Sequence, residues 1–98
     1  MMAIIGVSKL QEFSDRFPDA EAAISLWRLR IINAEWRSFN DLKKEFPSAD
    51  LIGNDRVIFD IRGNKYRLIA DVKISEQRCY VVRVLTYAQY DKLKVRKL

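Results

Sequence analysis

A single α+β domain is predicted by this sequence: N-terminal helices packed on a three- to four-stranded antiparallel sheet, closed by a short C-terminal helix. Three observations carry the prediction. Apolar residues recur at helical spacing through the first half and at a spacing of two from residue 50 onward. The β-branched runs of the second half are punctuated by Gly53-Asn54, Gly63-Asn64 and Ser75-Glu76-Gln77. Helices precede strands instead of alternating with them, and 98 residues leave room for one core.

Element by element, Ala3-Ile4-Ile5 reads as a short first strand. Ser8 and Gln11 fit a capping box for a first helix over about 8–16, with Leu10, Phe13 and Phe17 at helical spacing. Pro18 followed by Asp19 and Glu21 is a helix-start signature, and the second helix is predicted over about 19–35. Ala20, Ala23, Ile24, Trp27, Ile31 and Ala34 form its apolar stripe, with Trp27 as a core anchor. Ala22, Leu26 and Leu29 widen the stripe, which predicts a helix packed hard against its neighbours. Ser38 or Asn40 caps a third short helix ending before Pro47, with Leu42 and Phe46 inward. Strands follow at about 50–53, 56–62, 65–74 and 78–85, and Thr86 with Gln89 fits a capping box for a helix starting at Tyr87.

The central hairpin can be read in register. With Gly63-Asn64 as a two-residue II′ turn, Arg62 opposes Lys65, Ile61 opposes Tyr66, Asp60 opposes Arg67 and Phe59 opposes Leu68. Cross-strand partners share a face. Val57, Phe59, Ile61, Tyr66, Leu68 and Ala70 then form the core face, while Arg62, Lys65, Asp60, Arg67, Ile58 and Ile69 fall on the other. In the last strand, Tyr80, Val82 and Val84 continue the core face, and Arg83 joins Arg67 opposite. An arginine among valines is costly without a purpose, so Arg83 either pairs an acid such as Asp60 or Asp71 or holds phosphate.

Charge narrows the function classes. Residues 1–49 are electrically balanced with 7 basic and 7 acidic side chains, whereas residues 50–98 hold 11 against 6. A one-sided excess favours a polyanionic partner such as nucleic acid. The absence of histidine removes the commonest general base and metal ligand, and with one cysteine there is no zinc site, no Cys–His or Ser–His pair and no disulfide. No cofactor is expected. Three glycines make no phosphate loop, and no apolar run is long enough for a membrane span. The opening residues make a poor signal peptide, so the cytoplasm is the expected compartment and no membrane partner is expected. Any catalysis falls to Arg, Lys, Tyr, Asp or Glu.

Together these residues resemble a family. The helical half with its Pro18-Asp19-Ala20, Ala34-Glu35-Trp36 and Asp41-Leu42-Lys43, the hairpin Gly63-Asn64-Lys65-Tyr66-Arg67-Leu68, and the closing Thr86-Tyr87-Ala88-Gln89-Tyr90-Asp91-Lys92 are similar to the HigB-type toxins of type II toxin–antitoxin modules. These are a branch of the RelE-like ribosome-dependent mRNA endonucleases. The last two stretches are the specific ones, and the resemblance runs nearly end to end as a single domain over 1–98. It implies a RelE-like fold, the ribosome and mRNA as partners, and a cognate HigA-type helix-turn-helix antitoxin through which alone DNA is contacted. The implied reaction is attack of a 2′-hydroxyl on the adjacent phosphorus, giving a 2′,3′-cyclic phosphate and a free 5′-hydroxyl without a metal.

Such chemistry needs a base, an acid and cations for the developing charge. Arg67, Arg83, Tyr87, Tyr90 and Lys92 are the catalytic candidates. Arg67 and Arg83 suit phosphate, Lys65 or Lys92 could be the base with a lowered pKa, and Tyr87 or Tyr90 the acid or a base-stacking ring. Arg62, Asn64, Lys65, Lys94, Arg96 and Lys97 are RNA-binding candidates, with Asn64 serving the turn first. The family usually has histidine where this chain has Tyr87, so the alternative reading is a catalytically degenerate RNA- or ribosome-binding module of the same fold.

Overall fold

The computed structural model describes residues 1–95. The elements are β1 (Ala3–Ile5), α1 (Val7–Arg16), a 3-10 turn (Pro18–Ala20), α2 (Glu21–Ile32), α3 (Phe39–Glu45), β2 (Asp50–Leu51), β3 (Arg56–Ile61), β4 (Tyr66–Lys73), a second 3-10 turn (Ile74–Glu76), β5 (Arg78–Thr86) and α4 (Tyr87–Val95). The class is α+β as expected, but the sheet has five strands and is mixed, in the order β1-β5-β4-β3-β2. β1 runs parallel to β5, Ala3 opposite Arg78 and Ile5 opposite Tyr80, while the other pairings are antiparallel.

Gly6 explains how the chain leaves β1. It sits at φ +94, and a Cβ there would meet the Val81 carbonyl oxygen at 3.0 Å. Only glycine combines that conformation with that closeness. It caps α1 without a side chain, so the helix starts at Val7 and the Ser8–Gln11 capping box does not form; Gln11 donates to Asp15 instead. α2 ends three residues earlier than expected. The Asn33 amide turns back to donate to the Leu29 carbonyl at 2.9 Å, closing the last turn. Ser38, of the two alternatives, caps α3 by accepting from the Asp41 N–H.

The helices α1, α2 and α3 cover one face of the sheet. Leu10, Ile24, Trp27, Ile31, Leu42, Val57, Phe59 and Leu68 lie in that core. Trp27 meets Phe59 edge-on at 5.4 Å, in line with its role as an anchor. Ala22, Leu26 and Leu29 do not widen the buried stripe: they face outward, with Leu26 and Leu29 57% and 55% exposed.

The predicted β3–β4 register is present from Val57–Ala70 to Ile61–Tyr66. Gly63 has φ +63 and the Lys65 N–H donates to the Arg62 carbonyl, as the Gly-Asn turn requires. Arg62 itself is at φ +53, so strand pairing stops one residue earlier on each side. On β5 the predicted parity fails up to and including Val82. A bulge opposite Ile69/Ala70 puts two residues of β5 against one step of β4. Cys79 and Val81, not Tyr80 and Val82, face the helices; Tyr80 opposes Asp71, and Val82 packs on the other side. Past the bulge, Val84 points to the helical core as expected and Arg83 to the opposite face.

Candidate functional site

The sheet face away from the three N-terminal helices is only partly covered. α4 folds back over it, and Tyr90 packs on Ile58, Ile69 and Leu85 in a small satellite core. The predicted capping box fixes where α4 begins: Thr86 N–H donates to Gln89 Oε1 at 3.0 Å, and the Gln89 N–H returns to Thr86 Oγ at 3.2 Å. The Tyr87 N–H also donates to the Lys65 carbonyl at 3.0 Å, tying α4 to the hairpin.

Arg67 lies at the centre. It is only 9% exposed, so its charge needs compensation. Asp60, its cross-strand partner, sits 3.2 Å from Nε. Nη1 donates to the Asn64 carbonyl at 3.0 Å and to the Tyr66 carbonyl at 3.2 Å, and Nη2 donates to Asn64 Oδ1 at 2.9 Å. The guanidinium lies 5.2 Å from the Tyr87 ring centre and 5.5 Å from that of Tyr90, within cation–π reach of both. Asn64 therefore orients Arg67 as well as forming the turn. Tyr90 is buried at 8% exposure, whereas Tyr87 is 51% exposed.

Arg83 is opposite Ile69 on β5, two positions from the Arg67–Leu85 pair on the same face, about 7 Å along the strand. It is exposed and makes no ion pair among the described residues. Neither acid considered for it is available: Asp60 holds Arg67, and Asp71 holds Arg56 through Nε at 2.8 Å and Nη2 at 3.1 Å. Lys92 is exposed on α4. The side chain of Lys94 is not described, and Arg96 and Lys97 lie outside the described residues.

The other hairpin cations go elsewhere. Arg62 and Lys65 both turn toward the helical side and pair with Asp19, Lys65 at 2.5 Å, while the Tyr66 hydroxyl donates to Asp19 Oδ1 at 2.6 Å. The left-handed Arg62 breaks the alternation that would have placed them beside Arg67. Tyr66 is buried in the core as its register implied. The Asp19 bond raises the Lys65 pKa, the opposite of what a catalytic base requires. Nothing near Asp19 in sequence announces this cluster, because its partners are more than forty residues away. Burial pushes the Cys79 thiol up to about 12, so it is no nucleophile. Among the described residues no three His, Cys, Asp or Glu side chains converge as a metal site would, and no helix is long and apolar enough to cross a membrane.

The cluster makes a stability prediction with a definite sign. Bonds from Lys65 and Tyr66 lower the Asp19 pKa from 3.8 to about 2. A depressed carboxylate stabilises the fold above its unfolded pKa and loses that contribution as pH falls through the folded one. Wild type is thus expected to melt above Asp19→Asn at neutral pH, with the Tm gap closing between pH 3.8 and about 2. Thermal melts across that range check it, and a gap independent of pH would contradict it.

Comparison with known proteins adds the lineage. Residues 20–93 match the family model HigB_toxin, described as the RelE-like toxic component of a toxin–antitoxin system. The chain is 30% identical over 95 residues to an mRNA interferase HigB of Escherichia coli O6:H1, covering 94% of this chain and 91% of that protein. It is 26% identical over 92 residues to the mRNA interferase toxin HigB of Escherichia coli K12, covering 92% and 88%. A Shigella flexneri mRNA interferase HigB is similar at the same 26%.

Proposed function

The chain belongs to the HigB family of RelE-like toxins of toxin–antitoxin systems, and we propose that it is a ribosome-dependent mRNA endonuclease held in check by a HigA-type helix-turn-helix antitoxin. The observation that carries this reading is one constellation on the α4 face: a buried Arg67 under the exposed ring of Tyr87 and, on the adjacent strand, an Arg83 that makes no ion pair among the described residues. The names of its relatives, mRNA interferases, point the same way.

The residues divide the work of 2′-hydroxyl transesterification as follows. Arg83, whose guanidinium fork makes no ion pair among the described residues, grips the non-bridging oxygens as charge develops on phosphorus. Arg67, already bonded to Asn64 and Asp60, contributes a fixed positive charge and holds the Tyr87 ring. Tyr87, exposed and fixed over Arg67, has its hydroxyl accessible to act as the proton donor to the departing 5′-oxygen. Lys65 is withdrawn by Asp19, so of the two lysines considered as base, Lys92 is the one left. Tyr90 acts as packing under Arg67.

Induced expression in growing cells tests the reading. Wild type is expected to arrest growth, and Tyr87→Phe to lower messenger cleavage about 10²-fold or more through loss of a proton donor. Tyr87→His, which restores the side chain usual in the family, is expected to keep the arrest. Normal growth with abundant, folded wild type would contradict the proposal. Growth arrest with intact messenger would favour the non-catalytic, ribosome-binding alternative.

A further inference from the structure

β1 is three residues long and pairs with β5 only as far as Tyr80. Beyond that point the outer edge of β5 has no strand beside it among the described residues. α1 runs along this edge and leaves an open groove of about 280 Å³. Lys9, Glu12 and Arg16 line it from α1, residues 82–85 from β5, and Gln89 from α4.

The charges of this groove differ from those of the hairpin. Arg62, Lys65 and Arg67 each pair with an acid. Lys9, Arg16 and Arg83 are all exposed and pair with none among the described residues, and Glu12 is the one acid on the groove wall. Uncompensated cations lining one concave surface are what a polyanion meets most strongly, because no existing ion pair must be broken. The groove is also continuous with the site. Leu85 on its wall is the cross-strand partner of Arg67, and Gln89 caps the helix that carries Tyr87. An extended peptide adding to the β5 edge is the competing occupant, but Lys9 Nζ already donates to the Val81 carbonyl at 3.3 Å, where such a strand would begin to pair.

We propose that this groove binds the phosphates of single-stranded RNA flanking the scissile bond, with Lys9 and Arg16 as further RNA-binding residues beside Arg83. The inference rests on the endonuclease reading above. It makes the substrate's path run from Tyr87 past Arg83 and around the sheet edge onto α1, away from the ion-paired hairpin.

The test is single-turnover cleavage of a defined messenger on translating ribosomes, as a function of toxin concentration and salt. The double variant Lys9→Ala, Arg16→Ala is expected to raise the half-saturating concentration about tenfold or more. Losing two phosphate contacts should flatten the log–log salt dependence by roughly 1.4 units. The charge reversal Arg16→Glu, which leaves the Lys9–Val81 bond in place, should raise the half-saturating concentration in the same direction. The control pair Arg37→Ala, Lys44→Ala removes as much charge from exposed positions outside the groove and should shift neither quantity. Equal behaviour of groove and control pairs, with wild type cutting normally, overturns the groove and leaves the endonuclease reading standing. A groove variant that keeps its RNA parameters but loses affinity for the antitoxin makes the edge a protein-docking site and likewise overturns it. Absence of cleavage by wild type overturns both.

Discussion

Arg83→Ala is expected to lower messenger cleavage about 10²- to 10³-fold, the scale of removing one preorganised donor to a developing oxyanion. The effect should be almost wholly catalytic. Arg83 is exposed and makes no ion pair among the described residues, so no partner is stranded by its loss. Stability should stay within about 0.5 kcal/mol of wild type, as for most surface substitutions away from a cap or a network. Arg83→Lys keeps the charge but not the planar fork, and should recover only part of the rate. Rates on translating ribosomes together with urea melts check this. A fully active Arg83→Ala would remove the residue from the site.

Arg67→Ala is expected to damage both rate and stability. Asn64 Oδ1, the Tyr66 carbonyl and Asp60 would lose their donor, and Tyr87 and Tyr90 would lose the cation against which they pack. Leaving the buried Tyr66 carbonyl without its donor costs about 1–3 kcal/mol, and water can replace the donor at Asn64 and Asp60, which are not buried. That is a large fraction of the roughly 5–15 kcal/mol that holds a small domain together. Activity should fall with it, because the start of α4 loses its underpinning. Arg67→Lys keeps a charge but cannot reach Asn64, Tyr66 and Asp60 with one fork, so it should not rescue. The contrast with Arg83→Ala is the diagnostic: one variant folded and slow, the other weakened and slow. An Arg67→Ala protein that unfolds at the wild-type urea midpoint would refute the network drawn around this side chain.

The sequence made one half of this site legible and hid the other for identifiable reasons. The Arg67–Asp60 opposition follows from strand parity, because slipping the hairpin by one would bury its charges and expose Phe59 and Leu68. The Thr86–Gln89 cap was legible because its bonds span three residues. β5 was not, since Val81, Val82 and Val84 satisfy either parity and a bulge costs such a valine run nothing visible in the sequence. Strand alternation puts Arg62 and Lys65 on the RNA face only if it is carried one step too far, into a residue that is left-handed. The parallel pairing of β1 was hidden as well: three residues at one end of the chain meet β5 more than seventy residues away. That same short strand leaves the β5 edge open, where Lys9 and Arg16 come to lie, although neither stands out in the sequence.

The outer stripe of α2 shows a further limit of periodicity. Apolar spacing placed Leu26 and Leu29 inward, but a helix of twelve residues lying on a sheet buries one stripe, and Ile24, Trp27 and Ile31 already fill it. Apolar residues in excess of that stripe have nowhere to go but outward.

The most direct measurement is made with purified protein, translating ribosomes and a defined messenger, mapping the new 5′ ends and their chemistry. Discrete cuts in phase with codons are expected, each bearing a 5′-hydroxyl and pairing with an upstream 2′,3′-cyclic phosphate. Intact messenger, or cuts bearing a 5′-phosphate, would contradict the endonuclease reading.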